Sequence, residues 1–524
     1  MIRDLDALTS HTFDLLVVGG GIHGLLAAWD AATRGLHVAL IDRHDFGAGA
    51  SFHHHRTLHG GLRYLQHGHL ARYRQAIRER RTWAHIAPHL IERQAFAVAA
   101  GAGGRAALPL RAGFALDAAL GADRNRGVAP HLSLPPGRLS DAHAAGPLLR
   151  PGPVGLWHDY RTAEAERLTF AVALAASAAG AVLANYVDAI EPIMQGRSVV
   201  GVSARDHVDG AALSIGSRVV LNATGAAGGR LMAAFGVRRP PRLIKAMNLV
   251  TRRQAPAIAC GAATRSGRLL FALPWQGRLS IGTWHGPSPC GADAHMVAPE
   301  EFHAFLRDVN EAFPSLQLSP DDITLVQRGV VPAGGIGGSF GLADRPILRE
   351  HRHDGVDGAI TLMGVKYTTA RLLAEQAVTL ATAQLGRHAP PRTASTPLPG
   401  RMPDGSPPPV AAIDQGAWDH LQRIYGADAA RVAALAVAAP TLGRRIVDRL
   451  PVVGAQIVEA ARNEMAVTLE DIVLRRTGLG SAGYPGDDAI LQVETIAREE
   501  LGWSSARVDD EIQGLKAFYL PVRV

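Results

Sequence analysis

Cysteine is almost absent from the 524-residue chain, which contains only Cys260 and Cys290. A fold held together by several disulfides is therefore excluded, and a reducing compartment is the natural environment. No run of about 18 apolar residues occurs, so no transmembrane helix is expected. The residues before the first apolar strand also lack the apolar centre of a secretory signal, so we expect a cytoplasmic protein.

Long blocks of like charge are also missing. The formal net charge of +7 favours an anionic substrate, an anionic membrane surface or nucleic acid as a partner. The positive charge comes mostly from scattered arginines, so nucleic acid is the least favoured of the three and is not expected. Hydrophobic residues make up 47% and charged residues 19%, which excludes a disordered chain and allows two or three domains with sizeable cores.

What the sequence does contain is a strand–turn–helix–strand unit near its start, "FDLLVVGGGIHGLLAAWDAATRGLHVALIDR". The apolar run before the glycines is typical of a buried parallel strand. Gly19, Gly21 and Gly24 form a G-x-G-x-x-G pattern, which allows a tight turn, the approach of a pyrophosphate and close packing of helix on strand. Asp42 ends the second strand, at the spacing where an acid binds ribose hydroxyls. We therefore predict a dinucleotide site, which this pattern alone does not assign to FAD or NAD.

Two later segments are suited to the same site. The segment "SRVVLNATGAAGG" is an apolar strand that ends near Thr224 and Gly225. The segment "GAITLMGVKYTTARLLAEQAVTLA" predicts a strand, a turn and a helix opened by Thr368 and Thr369. The positive end of that helix would suit a carbonyl oxygen of a flavin ring. A dinucleotide site at the extreme start of a long chain is usual for FAD held as a built-in cofactor.

These motifs resemble those of the FAD-dependent glycerol-3-phosphate dehydrogenases, within the wider group of d-amino-acid-oxidase-like flavoproteins. The resemblance rests on "VVGGGIHG", "HGGLRYL", "RLIKAMNLV", "LPWQGRLSIGT", "GVKYTTARLLAE" and "EAARNEMAVTLEDIVLRRTGLG", which span nearly the whole chain in the family's order. It implies FAD as the cofactor and an α/β fold. That fold is a Rossmann-like FAD-binding domain with an antiparallel-sheet substrate domain and a helical C-terminal domain.

The domain boundaries follow from these motifs. The FAD-binding domain is expected to comprise residues 12–95, 150–235 and 336–390. The substrate-binding cap domain is expected to comprise residues 96–149 and 236–335. Its alternating patterns, such as "RLLFALPW" and "RLSIGTW", predict an antiparallel sheet that roofs the site. A Pro-rich linker at 391–411 leads to the helical domain at 412–524.

The resemblance also implies which residues act, and no metal is expected. The substrate-side residues are His59, Arg63, Tyr64, Asn248, Arg349 and Lys366. The residues around FAD are Gly19, Gly21, Gly24, Asp42, Ser51, His53, Gly60, Gly61, Thr224, Gly225, Gly364, Lys366 and Thr368. In this family a hydride leaves a secondary alcohol for the flavin, a base takes the hydroxyl proton, and cations hold the substrate phosphate.

Two positions depart from the family at the substrate. An Arg is expected where this chain has Val331, and a His where it has Asn248. A charged hydrogen bond to phosphate contributes about 1.5–3 kcal/mol, so we expect an altered pocket. Arg328 is the obvious substitute cation, but strand alternation puts it on the opposite face from Val331 unless the strand bends.

The loop "ASFHHHRTLHGG" carries three consecutive histidines, and three interpretations stay open. A metal site is the weakest, because consecutive side chains diverge and no acidic or cysteine cluster accompanies them. A second follows from "GASFH", which resembles the sarcosine and dimethylglycine dehydrogenases and would make His53 a covalent flavin ligand. In the third, the histidines hydrogen-bond FAD or fill the site. His54, His55, His59 and His285 are then candidate bases with ordinary pKa values of about 6.5.

The expected function is oxidation of sn-glycerol 3-phosphate or a related small anionic polyol by FAD, with electrons passing to quinone or another acceptor. Bacterial members of the family usually act at the membrane face, and the basic charge allows peripheral contact with the inner face of the cell membrane. A homodimer is also compatible with the sequence. Two alternatives stay open: an amine or amino-acid oxidoreductase on the same scaffold, and a flavin-binding protein whose catalysis has lapsed.

Overall fold

The computed structural model describes residues 1–66, 68–99, 104–120, 131–133, 148–149, 154–335, 340–401 and 410–519. The strands are β1 (Thr12–Val18), β2 (Val38–Ile41), β3 (Thr57–Leu58), β4 (Ile91–Ala99), β5 (His131–Ser133), β6 (Val154–Thr162), β7 (Val182–Ala184), β8 (Val187–Gln195), β9 (Ser198–Asp206), β10 (Ala212–Asn222), β11 (Leu243–Gln254), β12 (Ala259–Ala263), β13 (Leu269–Trp275), β14 (Arg278–His285), β15 (Ile323–Gly334), β16 (Gly341–Leu342), β17 (Ile347–Glu350) and β18 (Ala359–Met363).

The helices are α1 (Leu5–Thr9), α2 (Ile22–Thr33), α3 (Leu62–Gln66), α4 (Leu70–Ile86), α5 (Gly104–Leu120), α6 (Ala165–Ala178), α7 (Gly228–Ala234), α8 (Pro299–Ala312), α9 (Ala370–Gln384), α10 (Gln415–Tyr425), α11 (Ala429–Ala438), α12 (Gly454–Asn463), α13 (Asp487–Leu501) and α14 (Ser505–Phe518). A π-helical turn lies at Asp471–Arg476. Within these described elements, none of the helices is long and apolar enough to span a membrane.

The first sheet forms the predicted Rossmann-like unit. Its order is β17-β18-β10-β1-β2-β7, and neighbours pair in parallel except at the β17 edge; β8 and β9 extend it beside β10. Helices α2, α6 and α9 share one core against it, and α2 is buried along nearly its whole length. Val18, Ile41 and Asn222 lie in register at the carboxyl ends of three neighbouring strands. This edge is where ligands bind in open parallel sheets.

The second sheet confirms the predicted antiparallel roof. Its order is β16-β15-β11-β14-β13-β12-β4-β6-β3, and its pairs are antiparallel except for β12 with β4. Helix α8 covers one face by packing Phe305 and Val309 against Met247 and Trp284. The opposite face of the second sheet lies toward the first sheet.

Two strands correct the expected domain boundaries. The sequence assigned β6 and most of β4 to the FAD-binding domain. In the structure they pair with each other from Ile91 opposite Thr162 to Ala99 opposite Val154, and they continue the second sheet. Buried strands of the two sheets have similar apolar sequences, so only their pairing partners show to which sheet a strand belongs. Residues 121–130 and 134–147 of the predicted cap segment, and residues 402–409 of the linker, lie outside the described residues.

The helical C-terminal domain is also confirmed. Helices α10 and α11 form a small core around Trp418 and Val432. Helices α12 to α14 and the π-helical turn pack around Leu474 in a second core, which also takes in Phe52 and Trp275 from the other two domains. The C-terminal domain therefore contacts both the first sheet's loops and the second sheet.

A buried carboxylate joins this domain to the loop after β2. Asp45 accepts hydrogen bonds from Arg475 Nε at 2.6 Å, from the two terminal nitrogens of Arg476 at 2.7 and 2.8 Å, and from Asn185 Nδ2 at 3.0 Å. Burial alone would raise the pKa of Asp45, but the two guanidinium groups bring it down to about 2. The carboxylate is therefore ionised at neutral pH and fully satisfied.

We predict that Asp45→Asn will destabilise the protein strongly. Removing the charge leaves two buried guanidinium groups without their shared counter-ion, which typically costs about 3–5 kcal/mol of the free energy of unfolding. The measurement is the urea midpoint followed by tryptophan fluorescence. Glu500→Gln is the control, because the exposed Arg462 partners it and such pairs contribute only about 0–1 kcal/mol. Equal midpoints for the two variants would contradict a structural role for Asp45.

Candidate active site

A cavity of about 2140 Å³ lies between the carboxyl ends of the first sheet and the second sheet. Its lining combines the glycine loop, the end of β2, the histidine loop, the start of the β18–α9 turn and strands β11, β14 and β15. The sequence placed candidate residues on all of these segments, and the fold brings them to one space.

Two positions of the glycine loop lie so close to neighbouring backbone atoms that only glycine fits there. Gly19 has a φ of +111°, and a Cβ there would lie 2.6 Å from the Ala223 carbonyl oxygen. A Cβ at Gly24 would lie 1.8 Å from the Gly19 carbonyl oxygen, so helix α2 can pack against the loop only without a side chain. Gly21 differs: a Cβ would meet only Ser51 Oγ among the described residues, at 3.3 Å. Gly21 therefore faces the cavity, and Ser51 Oγ accepts the Ile22 N–H at 2.9 Å beside it.

Asp42 stands at the end of β2 and lines the same cavity. Its carboxylate accepts the backbone N–H groups of Gly20 and, at 2.7 Å, of His44. Burial raises the pKa of Asp42 to about 6, so it is mainly ionised at neutral pH. The carboxylate oxygens retain lone pairs for hydroxyl donors, as a ribose would present.

The turn between β18 and α9 carries a cation to the cavity. Lys366 Nζ donates a hydrogen bond to the Tyr64 hydroxyl and lies 4.3 Å from the centre of the Tyr64 ring. Thr368 Oγ1 accepts the backbone N–H of His59 at 3.3 Å, which ties this turn to the "HGGLRYL" motif. Gly364 is required because a Cβ would lie 1.8 Å from the His23 ring, whose pKa burial lowers to about 4. His23 was missed by the sequence analysis although it lies inside the glycine motif.

The roof strands present Asn248 and Val331 on one face. Asn248 pairs with Gln327, and Val331 pairs with Ile244, so alternation places both side chains on the same side of the sheet. Asn248 Nδ2 donates to the His53 carbonyl oxygen at 3.0 Å, and its Oδ1 accepts the Thr283 hydroxyl at 2.8 Å. Thr283, also on the cavity, was not predicted from the sequence.

Arg328 lies on the other face, opposite Met247, as strand alternation predicted. Its guanidinium donates to the Phe518 carbonyl oxygen at 3.2 Å and lies 5.2 Å from the centre of the Phe518 ring. The C-terminal helix therefore holds Arg328 at the rim of the cavity. This placement does not make it a direct replacement for an Arg at position 331.

The three consecutive histidines are half-buried against the cavity. His53 stacks on Phe518 with ring centres 5.9 Å apart, His54 stacks on Tyr367 at 4.3 Å, and His55 bonds the Ser280 carbonyl oxygen at 3.2 Å. Burial lowers the pKa of His53 well below 6.5, of His54 to about 3 and of His55 to about 4. The expectation of ordinary pKa values for His54 and His55 was wrong, because both rings are enclosed. The described residues contain no cluster suited to a metal ion.

Comparison with known proteins decides the family. The model of the FAD-dependent oxidoreductases matches residues 14–380, and that of the C-terminal domain of alpha-glycerophosphate oxidase matches residues 360–508. A glycerol-3-phosphate dehydrogenase of Synechocystis is 31% identical over 98% of this chain and 97% of its own length. Glycerol-3-phosphate dehydrogenase 2 of Mycobacterium tuberculosis is 30% identical over 97% of this chain and 88% of its own.

The chain belongs to the FAD-dependent glycerol-3-phosphate dehydrogenase family.

Solved structures agree with this fold. The glycerol-3-phosphate dehydrogenase of Bacillus halodurans, determined with FAD, superposes with a TM-score of 0.73 at 23% identity and covers 99% of this chain and 96% of its own. The L-proline dehydrogenase of P. horikoshii gives a TM-score of 0.55 at 18% identity and covers 72% of this chain and 95% of its own. The expected fold class is confirmed.

FAD is the cofactor of this family, and the residues present fit it. Gly21 leaves room at the start of α2, which has no side-chain cap, so its N–H groups and positive end suit a pyrophosphate. Asp42 is placed for the ribose, and Thr224 and Gly225 line the cavity at the end of the adjacent β10. The cofactor predicted from the glycine motif and the resemblance is confirmed.

Not every predicted site residue of this family member reaches the cavity. Arg349 lies on the edge strand β17, where its exposed guanidinium forms an ion pair with Asp354, and it is not among the described residues that line the cavity. Gly60 supports the site from outside by donating its N–H to Asp159 at 2.8 Å. Arg63 belongs to α3, but its side chain lies outside the described residues. His59 does line the cavity.

We predict that Gly21→Val will fold but lose FAD. The backbone φ of Gly21 is −71°, and a Cβ there meets only Ser51 Oγ, so the added side chain projects into the space for the pyrophosphate. The measurement is the ratio of flavin absorbance at 450 nm to protein. Gly341→Val is the control, because nothing lies within 4 Å of a Cβ at that position. A yellow Gly21→Val protein with one FAD per chain would contradict this assignment of the loop.

Two alternatives for His53 remain, and acid precipitation separates them. Its Nδ1 is buried without a partner among the described residues, and its ring lines the cavity. A covalent bond through His53 predicts that flavin stays with the precipitated protein and that His53→Ala releases it. Free flavin in the supernatant of the wild type eliminates the covalent alternative and leaves His53 as a residue that fills the site.

Proposed function

We propose that the protein oxidises sn-glycerol 3-phosphate, or a closely related small anionic polyol, with FAD as the hydride acceptor. The observation that carries this proposal is the convergence of Lys366, Tyr64, His59 and Asn248 on the cavity that Gly21 faces. A cation, a phenol, an imidazole and an amide around one space can hold a small anion, orient its hydroxyl groups and accept a proton.

The protein's own groups supply the acid–base chemistry. FAD, held by Gly21, Asp42 and the start of α2, would supply the acceptor for the hydride of the alcohol carbon. His59 is the candidate base for the hydroxyl proton, and its ring centre lies 6.5 Å from that of Tyr64. The Tyr64 hydroxyl oxygen accepts a hydrogen bond from Lys366. The hydroxyl hydrogen of Tyr64 can then be donated to a substrate oxygen. The Lys366 charge also favours negative charge developing on that oxygen.

Among the described residues, which leave out the side chain of Arg63, fewer of the cations proposed for the substrate's anionic group are placed to contact it. Val331 puts an apolar side chain on the face of the roof that also carries Asn248. Arg349 is paired with Asp354, and Arg328 is held by the Phe518 carbonyl oxygen on the other face. Lys366 is the cation in direct contact with a predicted site residue. We infer a weaker hold on a phosphate dianion than the family's Arg-containing site would give.

An amine or amino-acid substrate has less support. The L-proline dehydrogenase fold covers 72% of this chain, whereas the glycerol-3-phosphate dehydrogenases of Synechocystis and Mycobacterium tuberculosis match 97% or more of it. The C-terminal helical domain, which contributes Phe518 and Arg475 to the cavity wall, is part of the latter match. A lapsed flavoprotein is also less favoured, because the Lys366–Tyr64 contact is intact.

The electron acceptor proposed for this enzyme is a quinone. The inference rests on the family, whose bacterial members usually pass electrons to quinone. The test is reduction of a short-chain ubiquinone analogue by the substrate-reduced enzyme, followed as reoxidation of the flavin. Reoxidation only by ferricyanide and not by the quinone analogue would contradict this acceptor.

We predict that Val331→Arg will improve oxidation of glycerol 3-phosphate. A charged hydrogen bond to phosphate is worth about 1.5–3 kcal/mol, which corresponds to roughly a tenfold to hundredfold rise in kcat/KM. Pairing it with Asn248→His should raise kcat/KM further, although neighbours on one face need not add. The measurement is steady-state kinetics with an artificial electron acceptor.

Arg328→Gln is the matched comparison for this prediction. Because Arg328 lies on the opposite face of β15, its loss should leave kcat/KM for glycerol 3-phosphate within about twofold. A loss of tenfold or more would mean that Arg328 has taken over the phosphate. In that case the wild type should oxidise glycerol 3-phosphate with a kcat/KM like that of its relatives. Val331→Arg should then bring no rise in kcat/KM.

A further inference from the structure

The roof of the cavity changes from polar to aromatic along the second sheet. Asn248 of β11 and Thr283 of β14 give it a polar surface at one end. Beyond β14, the strands β13, β4 and β6 turn apolar side chains to the cavity, namely those of Leu269, Phe271, Leu273, Phe96, Val98 and Trp157. Strand alternation supports this orientation, because the intervening Leu270 and Ala272 of β13 pack in the core under α8, on the other face of the sheet.

Four aromatic rings form the centre of this apolar region. The rings of Phe96 and Trp157 are stacked with their centres 5.5 Å apart, and the Phe271 ring lies edge-on to both, at 5.9 and 6.2 Å. Phe114 of α5 completes the cluster, 6.2 Å from Trp157. Gly261 of β12 leaves the room that the Phe271 ring needs, since a Cβ there would lie 2.6 Å from that ring. These four aromatic residues together are the aromatic wall of the cavity.

The aromatic wall adjoins the groups proposed to act on the alcohol. Trp157 Nε1 donates to Asp159 Oδ2 at 3.3 Å, and Oδ1 of the same carboxylate accepts the Gly60 N–H at 2.8 Å. Gly60 directly follows His59, so one carboxylate ties the indole to the loop of the candidate base. Helix α3, which carries the phenol of the proposed site, packs against the same wall through Leu62. The wall therefore borders the place where the alcohol group is expected.

An apolar substituent on the substrate fits this arrangement. Every carbon of glycerol 3-phosphate bears an oxygen, so that molecule has no apolar group to place against the rings. An aryl group would bury apolar area there and make offset or edge-to-face contacts with the aromatic wall. A quinone ring has similar chemistry, but the link through Asp159 places the wall beside the base for the alcohol proton. The group that suits the wall is therefore one carried by the molecule that is oxidised.

We propose that the preferred substrate is a secondary alcohol that carries both an anionic group and an aryl-sized apolar substituent, such as an aryl ether of glycerol 3-phosphate. This rests on the proposed function, because the reaction is the same. The alcohol carbon loses a hydride to FAD, the hydroxyl loses its proton to the base, and a ketone remains; the quinone-class acceptor then takes both electrons from the flavin. Lys366 meets the anionic group, and the aromatic wall meets the substituent.

Two phosphates that lack the secondary hydroxyl test the binding directly, because neither can be oxidised. Benzyloxypropyl phosphate carries the apolar substituent, and hydroxypropyl phosphate does not. Isothermal titration calorimetry of the FAD-loaded protein should give a Kd at least about tenfold lower for benzyloxypropyl phosphate. Equal Kd values for the two phosphates, or a lower Kd for hydroxypropyl phosphate, would overturn the proposal.

Variants locate the substituent on the aromatic wall. Phe271→Ser removes one ring and should raise the Kd of benzyloxypropyl phosphate by about tenfold. Leu269→Ser changes a residue of the same strand that lines the cavity and is 39% exposed, so the fold tolerates it, and it should raise this Kd by about threefold. Leu491→Ser is the matched control, because it changes a 54% exposed leucine of α13 and should leave the Kd as in the wild type. An unchanged Kd in Leu269→Ser and Phe271→Ser would overturn the proposal.

Steady-state oxidation separates this proposal from the proposed function. With an artificial electron acceptor, the benzyl ether of glycerol 3-phosphate should be oxidised with a kcat/KM about tenfold above that of glycerol 3-phosphate. A higher kcat/KM for glycerol 3-phosphate would overturn the preference for an apolar substituent and leave the proposed function standing. Tight binding of benzyloxypropyl phosphate without oxidation of either alcohol would instead contradict the proposed function alone.

Discussion

The buried ionic cluster around Asp45 is the interaction on which the arrangement of this protein depends. Asp45 lies in the loop after β2, and its partners Arg475 and Arg476 come from the π-helical turn, more than 400 residues later in the chain. Arg475 also bonds Asp471, whose other oxygen accepts the N–H groups of Val467 and Thr468. Because these charges are enclosed, each is stable only while the others are in place. The loop after β2 and the C-terminal domain are therefore fixed relative to each other.

Residues of all three domains hold the histidine loop in place. Asn248 of the roof binds the His53 carbonyl oxygen, and Phe518 of the C-terminal domain stacks on the His53 ring. Arg56, which ends the run, pairs with the buried Glu166 and lies 3.5 Å from the centre of the Trp275 ring. The loop thus touches all three domains while its imidazoles face the cavity. Burial at this meeting point of the three domains lowers the pKa values of all three histidines.

The substrate side combines retained and lost features. Lys366 and Tyr64 keep their contact, because the "GVKYTT" and "HGGLRYL" segments are tied together by the His59–Thr368 bond and by Trp83 Nε1, which donates to the Thr368 carbonyl oxygen at 3.0 Å. On the roof, Val331 occupies the position where the resemblance predicts an Arg. Val331 therefore lies on a different segment of the cavity wall from the Lys366–Tyr64 pair.

The sequence by itself determined the dinucleotide unit and the antiparallel roof, because each rests on local patterns of glycine and apolar alternation. The family and its cofactor FAD followed from the resemblance of the motifs along the chain to those of known flavoproteins. The sequence also determined that Arg328 and Val331 face opposite ways, since alternation along one strand is a local property. The tertiary structure alone decided what depends on distant partners. It moved β4 and β6 into the second sheet, turned Arg349 outward toward Asp354, and lowered the pKa values of His54 and His55. Pairing, burial and desolvation arise between segments far apart in the chain, and no local pattern encodes them.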